Sequence, residues 1–225
     1  MVTAIVLAAG RSSRMGGGTN KQFLELLGQQ LVWYALTAFE QCKAVDAIVL
    51  VRRPDYAAQA EEVAHGFTKV VALTDGGAER QNSVWNGLEK APAGTEIVAV
   101  HDGARPLVTP ALIEATIQSA RQYGTGIAAT KVVDTIKEAT PDRTVERTVD
   151  RTKLWAVQTP QTVRYSLLRE AYREVLKKGV VVTDEAAAVE MLHQPVHLVD
   201  TPFLNLKITT PTDLAIAEAL LRARR

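Results

Sequence analysis

Cysteine is nearly absent from this chain, which has Cys42 as its single thiol among 225 residues. One thiol excludes an internal disulfide and any metal site built from cysteines, which suits a reducing compartment such as the cytoplasm. Net charge is also small, at +1, so a broad basic surface for nucleic acid or anionic lipid is not expected. The apolar start VTAIVLAAG is too short to span a bilayer and has no basic residues before it. We therefore expect neither a nucleic-acid partner nor a membrane segment.

Short apolar runs alternate with amphipathic stretches along most of the chain, as in AIVLAA, AIVLVRR, VVALT and EIVAVHD with helix-like segments between them. Strands that are apolar at consecutive positions are typical of a parallel sheet covered on both faces. Thr109-Pro110 and Thr210-Pro211 each predict an N-cap followed by proline at the first helical position. We predict an α/β fold in a single domain over 1–225, with a mostly parallel sheet and helices on both faces.

The alternation breaks in DTIKEATPDRTVERTVDR, where polar and β-branched residues flank a Thr-Pro-Asp turn. This pattern predicts a β-hairpin arm at about 134–153 that protrudes from the main body. A polar two-stranded ribbon is only marginally stable alone, so packing on a second subunit is one interpretation. A solvated surface hairpin is the other, and the residues alone do not separate the two.

A glycine-rich loop, LAAGRSSRMGGGTNKQ, follows the first strand and carries Arg11, Arg14 and Lys21 with no acidic residue before Glu25. Small residues let the backbone approach a ligand, and the basic side chains supply countercharge, so the loop predicts a polyphosphate site. The spacing fits neither a Walker loop nor the G-x-G-x-x-G fingerprint. The structural alternative is an exposed Gly/Ser loop whose basic residues keep it soluble, and we expect Lys21 to be exposed.

The fourth strand ends in VHDGARP, which places Asp102 at the carboxyl edge of the sheet, where open α/β sheets bind ligands. A lone aspartate there can hold Mg²⁺ together with substrate phosphate oxygens. A turn or N-cap role is the alternative for Asp102, and a structural role is the favoured interpretation of His101.

Seven segments in register resemble the 2-C-methyl-D-erythritol 4-phosphate cytidylyltransferase family: LAAGRSSRMGGGTNKQF, GGAERQNSVWNGL, VHDGARP, VDTIKE, DRTKLWAVQTPQ, VTDEAAAVE and NLKITTPTDL. The resemblance implies a Rossmann-like three-layer nucleotidyltransferase fold and a homodimer in which an arm of one subunit completes the other's site. It implies transfer of CMP from CTP, with Mg²⁺, to a small-molecule substrate of the non-mevalonate isoprenoid pathway.

The resemblance also implies roles for individual residues. The catalytic cations are Arg14, Lys21 and Lys207. The residues expected to bind the nucleotide are Ala8, Ala9, Gly10, Gly77, Ser83 and Asp102, with Asp102 also binding the metal. The residues expected to bind the methylerythritol phosphate are Arg105, Thr135, Arg151, Thr159 and Thr183, with Arg151 reaching in from the partner subunit.

Residue patterns alone leave alternatives open. Lys207 alternates with apolar neighbours like an outward residue of a strand, and capping of a helix explains Thr183, Asp184 and Glu185. Arg151 and Thr159 have only surface-hairpin and turn interpretations. At the level of function, a ribitol 5-phosphate cytidylyltransferase and a non-catalytic nucleotide-binding module are the competing hypotheses.

Overall fold

The computed structural model describes residues 1–10, 21–201 and 204–224. Its strands are β1 (Val2–Ala8), β2 (Glu25–Leu26), β3 (Gln29–Gln30), β4 (Ala47–Arg52), β5 (Val70–Asp75), β6 (Ile97–Asp102), β7 (Thr125–Lys131), β8 (Ile136–Ala139), β9 (Val145–Val149), β10 (Trp155–Arg164) and β11 (Leu198–Asp200). Its α-helices are α1 (Leu31–Gln41), α2 (Ala57–Ala64), α3 (Arg80–Glu89), α4 (Pro110–Tyr123), α5 (Tyr165–Lys178), α6 (Glu185–Glu190) and α7 (Pro211–Ala223).

Seven strands form the central sheet in the order β11-β7-β10-β6-β1-β4-β5. Within it, β10 runs antiparallel to both of its neighbours, whereas the other pairs are parallel. Alternate residues of β1 point to opposite faces, so Ala4 and Val6 pack with α1, α2 and α4, while Ile5 and Leu7 pack with α3, α5 and α6. The predicted mostly parallel sheet with helices on both faces is confirmed.

The predicted N-caps both form. Thr109 accepts a hydrogen bond from the Leu112 N–H, and Thr210 makes a capping box with Asp213 at the start of α7. The prediction that each strand is buried on both faces is wrong for VVALT. This segment forms the edge strand β5, in which Val71 is 53% exposed. An edge strand has a neighbour on one side only, which its sequence does not reveal.

The polar segment after β7 forms a separate two-stranded sheet in which β8 pairs antiparallel with β9, and Ile136 lies opposite Val149. Nearly all of its residues are exposed. The hairpin predicted from the sequence is therefore present.

Candidate active site

The candidate site lies at the carboxyl edge of the sheet, where the parallel neighbours β1 and β6 end together. Leu7 lies opposite Asp102 in the strand register, so the segments that follow these two strands share one crevice. A cavity of about 470 Å³ opens there. The described residues that line it are Leu7, Ala9, Gly10, Lys21, Gln22, Gly77, Ala78, Glu79, Arg80, Ser83, Asp102, Ala104 and Lys207.

One wall of the cavity is the turn between β5 and α3. The Gly77 N–H donates to Ser83 Oγ at 3.1 Å, and that hydroxyl donates to the Glu79 carbonyl at 3.2 Å. A Cβ on Gly76 would lie 2.3 Å from Ala9 Cβ, so only glycine lets this turn approach the end of β1. The turn and the first strand thereby form adjacent sides of one pocket.

Asp102 is the electrostatic centre of the cavity. Its Oδ2 lies 2.7 Å from Lys207 Nζ and 3.8 Å from Arg105 Nε, and its Oδ1 lies 3.5 Å from Arg80 Nε. Burial by itself would raise the pKa of Asp102, but the positive charges of Arg80 and Lys207 outweigh burial and hold the pKa well below its usual range. The cavity therefore contains an ionised carboxylate with cations on both of its oxygens.

Arg80 connects this centre to a second, fully buried carboxylate. Its Nη1 donates to Glu185 Oε1 at 2.6 Å and its Nη2 to Glu185 Oε2 at 3.0 Å, while the Tyr172 hydroxyl donates to Glu185 Oε1 at 2.9 Å. Burial would lower the pKa of Arg80, but the charge of Glu185 raises it well above its usual value. The guanidinium is therefore fixed as a cation between α3 and α6.

A chain of hydrogen bonds supports the backbone of Asp102 from behind. Its N–H donates to Thr159 Oγ1 at 3.1 Å, and the Thr159 hydroxyl lies 3.0 Å from His101 Nδ1. Because that hydroxyl accepts from Asp102, its proton is assigned to the bond with Nδ1, which leaves the His101 Nε2–H to donate to the Arg105 carbonyl at 3.3 Å. His101 is completely buried in this arrangement.

This arrangement predicts a pH-dependent stability. Burial lowers the pKa of His101 from 6.5 to about 4, so between these values the unfolded chain binds a proton that the folded chain does not. The free energy of unfolding therefore has its full value above pH 6.5. It falls by up to about 3 kcal/mol as the pH drops from 6.5 through 4. Urea unfolding of His101→Gln at pH 7 and pH 5 is expected to lose much of this pH dependence. His65→Gln, at an exposed histidine, should keep it. An equal change in the free energy of unfolding between pH 7 and pH 5 in the wild type and in both variants would contradict the assignment of this pH dependence to His101.

The structure brings seven of the residues predicted from the sequence together in the cavity lining: Ala9, Gly10, Lys21, Gly77, Ser83, Asp102 and Lys207. Ala8 lies beneath them, fully buried at the end of β1. The expectation that Lys21 is exposed is wrong, because a short 3-10 helix over Lys21–Phe23 leaves the lysine only 9% exposed. The turn interpretation of Thr159 is also wrong, because this residue is a buried part of β10.

The other predicted residues that the structure describes lie outside the lining. Arg105 borders it, because its Nη1 donates to the Asn205 carbonyl at 2.7 Å and its Nε faces Asp102. Thr135 and Thr183 are exposed. Arg151 is also exposed, and its Nη1 donates to the Val133 carbonyl at the base of the hairpin. Arg14 falls outside the described residues.

Sequence reasoning missed Arg80 and misread Glu185. Capping was expected to explain Glu185, but the N-cap of α6 is Asp184, which accepts from the Ala187 N–H at 2.9 Å. Glu185 instead points inward to Arg80 with none of its surface exposed. The position of Arg80 in GGAERQNS, at the first residue of a helix beside the predicted site, is the only signal that the sequence offered for it.

Comparison with known proteins places this geometry in a family. A family model described as 2-C-methyl-D-erythritol 4-phosphate cytidylyltransferase matches residues 2–223. The protein of that name from Geobacillus kaustophilus (strain HTA426) is 49% identical over 223 residues, which cover 98% of this chain and 97% of that protein. The chain belongs to this family. Its resemblance to the family, seen in the sequence motifs, is thereby confirmed.

Solved structures agree with the family assignment. The 4-diphosphocytidyl-2C-methyl-D-erythritol synthase of Anaerococcus prevotii DSM 20548 superposes with a TM-score of 0.87 at 29% identity, covering 98% of each chain. The 2-C-methyl-D-erythritol 4-phosphate cytidylyltransferase of Thermus thermophilus gives 0.81 at 32% identity, covering 97% of this chain and 98% of that one. The expected nucleotidyltransferase fold is confirmed, and the chain is a cytidylyltransferase.

Two other kinds of feature are missing from the described part of this cytidylyltransferase. Within residues 1–10, 21–201 and 204–224, no helix combines the length and the apolar character that a bilayer crossing requires. The same residues contain no cluster of three or more histidine, cysteine, aspartate or glutamate side chains arranged to hold a metal ion.

Proposed function

We propose that this chain transfers CMP from CTP to 2-C-methyl-D-erythritol 4-phosphate, giving 4-diphosphocytidyl-2-C-methyl-D-erythritol and pyrophosphate. The observation that carries the proposal is the contact of Arg80 and Lys207 with Asp102, in a cavity that Lys21 and the glycine turn at Gly77 also line. This reaction is a step of non-mevalonate isoprenoid synthesis. We propose the cytoplasm as its location, in keeping with the single cysteine.

The chemistry requires the joining of two anions. An oxygen of the substrate phosphate attacks the α-phosphorus of CTP, a new P–O bond forms, and the bond from the α-phosphorus to the bridging oxygen breaks as pyrophosphate leaves. The attacking phosphate has a second pKa of about 6 and is already mostly dianionic at neutral pH, so no general base is required. The protein must supply alignment and positive charge instead.

The cations of the cavity suit that task. Lys21 and Lys207 approach from opposite ends of the sequence, and we propose that they, with Arg14, neutralise charge on the transferring and leaving phosphates. We assign the nucleotide to the small residues of the lining and to Ser83, where backbone groups near Gly77 face the pyrimidine. Ala9, Gly10 and Gly77 have a methyl group or no side chain, so a ligand can approach their backbone closely.

Asp102 is the residue that would hold Mg²⁺. It is ionised and lies in the cavity, and Mg²⁺ commonly binds through one carboxylate together with substrate phosphate oxygens and water, so the residues present fit this ion. When bound, the ion would neutralise charge on the phosphate oxygens. Lys207 would then share Asp102 with the ion or turn its ammonium toward the phosphates.

For the polyol phosphate we propose Arg105, Thr135, Arg151, Thr159 and Thr183, with Thr135 and Arg151 supplied by the hairpin arm of a partner subunit. Exposed apolar side chains near the arm support dimerisation: Val133, Val145 and Val157 are 77%, 55% and 39% exposed. An apolar side chain that is exposed to water in one subunit is stabilised when another surface covers it. A second subunit would cover them.

Pyrophosphate release tests the proposed reaction. The chain is incubated with CTP, Mg²⁺ and, in turn, 2-C-methyl-D-erythritol 4-phosphate, ribitol 5-phosphate and a small panel of sugar phosphates. Fastest turnover with the methylerythritol phosphate is expected. Preferential use of ribitol 5-phosphate would overturn the substrate assignment, and CTP binding without pyrophosphate release from any pair would overturn the catalytic one.

Arg151→Ala tests the arm. We expect the KM for the polyol phosphate to rise at least about tenfold, because an Arg–phosphate contact is lost, while the KM for CTP changes less than about twofold. Arg147→Ala, at another exposed arginine of the same hairpin, should leave both constants unchanged. Mixed dimers of Arg151→Ala and Lys21→Ala subunits should recover activity if the arm acts across the interface. Equal changes in both KM values would contradict the arm assignment.

A further inference from the structure

The first turn of α3 is joined to the segment 180–185 by four hydrogen bonds. Two are the contacts of Arg80 with the buried carboxylate of Glu185. The other two are made by Gln81, whose Nε2 donates to the Val180 carbonyl at 3.0 Å and whose Oε1 accepts from the Val182 N–H at 2.8 Å. One turn of α3 thus holds the backbone of the segment at Val180 and Val182 and the side chain at its end, Glu185.

Of the three valines in this segment, only Val182 packs against the core, and it is partly buried. Val181 is 73% exposed and Val180 is 39% exposed, so polar contacts hold much of the loop before α6. Gln81, by contrast, is only 7% exposed. A buried amide with both of its functional groups bonded specifies one loop position, because any shift of the loop leaves buried polar groups unpaired.

The same helix also contributes to the nucleotide wall, which is the side of the cavity formed by the turn at Gly77 and by Ser83. Ser83, one turn further along α3, accepts the Gly77 N–H, and Arg80 faces Asp102 on the cavity side. Thr183, the residue of the segment assigned to the polyol phosphate, lies between Val182, which Gln81 holds, and Glu185, which Arg80 holds. The nucleotide wall and the segment of Thr183 are therefore parts of one rigid unit.

We propose that Arg80 and Gln81 are positioning residues for the polyol phosphate: they hold the segment 180–185 in register with the nucleotide wall, and Glu185 and Tyr172 fix Arg80. This inference rests on the proposed function, because it assigns Thr183 to the second substrate. Arg80 and Gln81 act through the segment 180–185 and need not touch the polyol phosphate. Because both residues lie in the first turn of α3, the position of the polyol phosphate depends on the same helix to which we assign CTP.

Two variants test the positioning role. Gln81→Leu has a similar volume but loses both loop bonds, and Glu185→Gln keeps the shape but removes the charge that holds Arg80. Each is expected to raise the KM for the polyol phosphate at least about tenfold while the KM for CTP changes less than about threefold. Hydrogen exchange in the segment 180–187 should become faster in both, without any substrate present.

Glu89→Gln is the matched control. It removes the same kind of charge from the other end of α3, where Glu89 Oε1 pairs with Arg169 Nη2 at 2.6 Å. Both KM values and the exchange of 180–187 should stay as in the wild type. Unchanged exchange in Gln81→Leu and Glu185→Gln, or equal rises of both KM values, would overturn the inference.

The two proposals fail differently. A wild-type chain that used ribitol 5-phosphate in place of the methylerythritol phosphate would overturn the proposed substrate. The positioning role would still be tested, because the KM values of the variants would then be compared with ribitol 5-phosphate. Normal turnover in all variants with wild-type exchange would overturn only the positioning role. The exchange measurement decides the contacts of the loop even for a chain without turnover.

Discussion

Lys21→Ala is expected to lower kcat by about 10²- to 10³-fold, the usual loss when one fixed donor to developing transition-state charge is removed. Lys21 lines the cavity beside Gly10 and Gln22, and its side chain is mostly buried. In the proposed reaction the ammonium of Lys21 faces the phosphates, and a side chain fixed by burial needs no reorganisation as charge moves to the leaving pyrophosphate. The rate of pyrophosphate release at saturating substrates measures the effect.

Burial of Lys21 makes a second variant necessary, because alanine also removes packing by the lysine stem. Lys21→Met keeps the stem and removes the charge. Both variants should show the same loss of kcat, and the methionine variant should unfold at nearly the wild-type temperature. Lys43→Ala, at an exposed lysine on the surface, should change neither rate nor stability. Full activity of the methionine variant would show that the charge of Lys21 has no part in the reaction.

Arg80→Ala is expected to lower the free energy of unfolding by about 3–5 kcal/mol, the range for breaking a buried ion pair by removing one partner. Glu185 has no exposed surface, and among the residues that the structure describes, the Tyr172 hydroxyl is the side-chain donor left to its carboxylate without Arg80. Urea denaturation at pH 7 measures the loss. Of the changes proposed, this one affects stability most.

A double variant separates the lost charge from lost packing. Arg80→Ala combined with Glu185→Gln should be more stable than Arg80→Ala alone, since an uncharged amide is less costly to bury than an unpaired carboxylate. Arg222→Ala is the surface control, because its pair with Glu218 is 67% and 36% exposed and should contribute less than about 1 kcal/mol. A loss in Arg80→Ala no larger than in Arg222→Ala would contradict the buried-pair argument.

Local patterns sufficed wherever a single physical rule applies over a few residues. Consecutive apolar residues in β1, β4 and β6 predicted buried parallel strands, and the Thr-Pro pairs predicted the starts of α4 and α7. Glycine and alanine after β1 predicted the place where a ligand can approach the backbone. The resemblance of seven ordered segments then predicted the family.

The same rules failed where the outcome depends on distant neighbours. Glu185 fits a helix start equally well as a cap or as an inward ion-pair partner, and only the packing of α3 against α6 selects the second role. Lys21 was expected in an exposed loop because no segment close to it in the sequence indicates that its side chain is covered. Thr159 lies within β10 at the irregularity between Val157, which pairs with β7, and Gln161, which pairs with both β6 and β7, and these partner strands are distant in sequence.

By itself, the sequence determined the α/β pattern and the family, since these depend on periodicity and on ordered motifs. Only the tertiary structure decided that Lys207 and Arg80 both face Asp102, although each lies far from it along the chain. Charges separated so far along a chain meet only after strands and helices have fixed their directions. In the proposed reaction, neutralisation of charge between the two phosphates depends on that convergence.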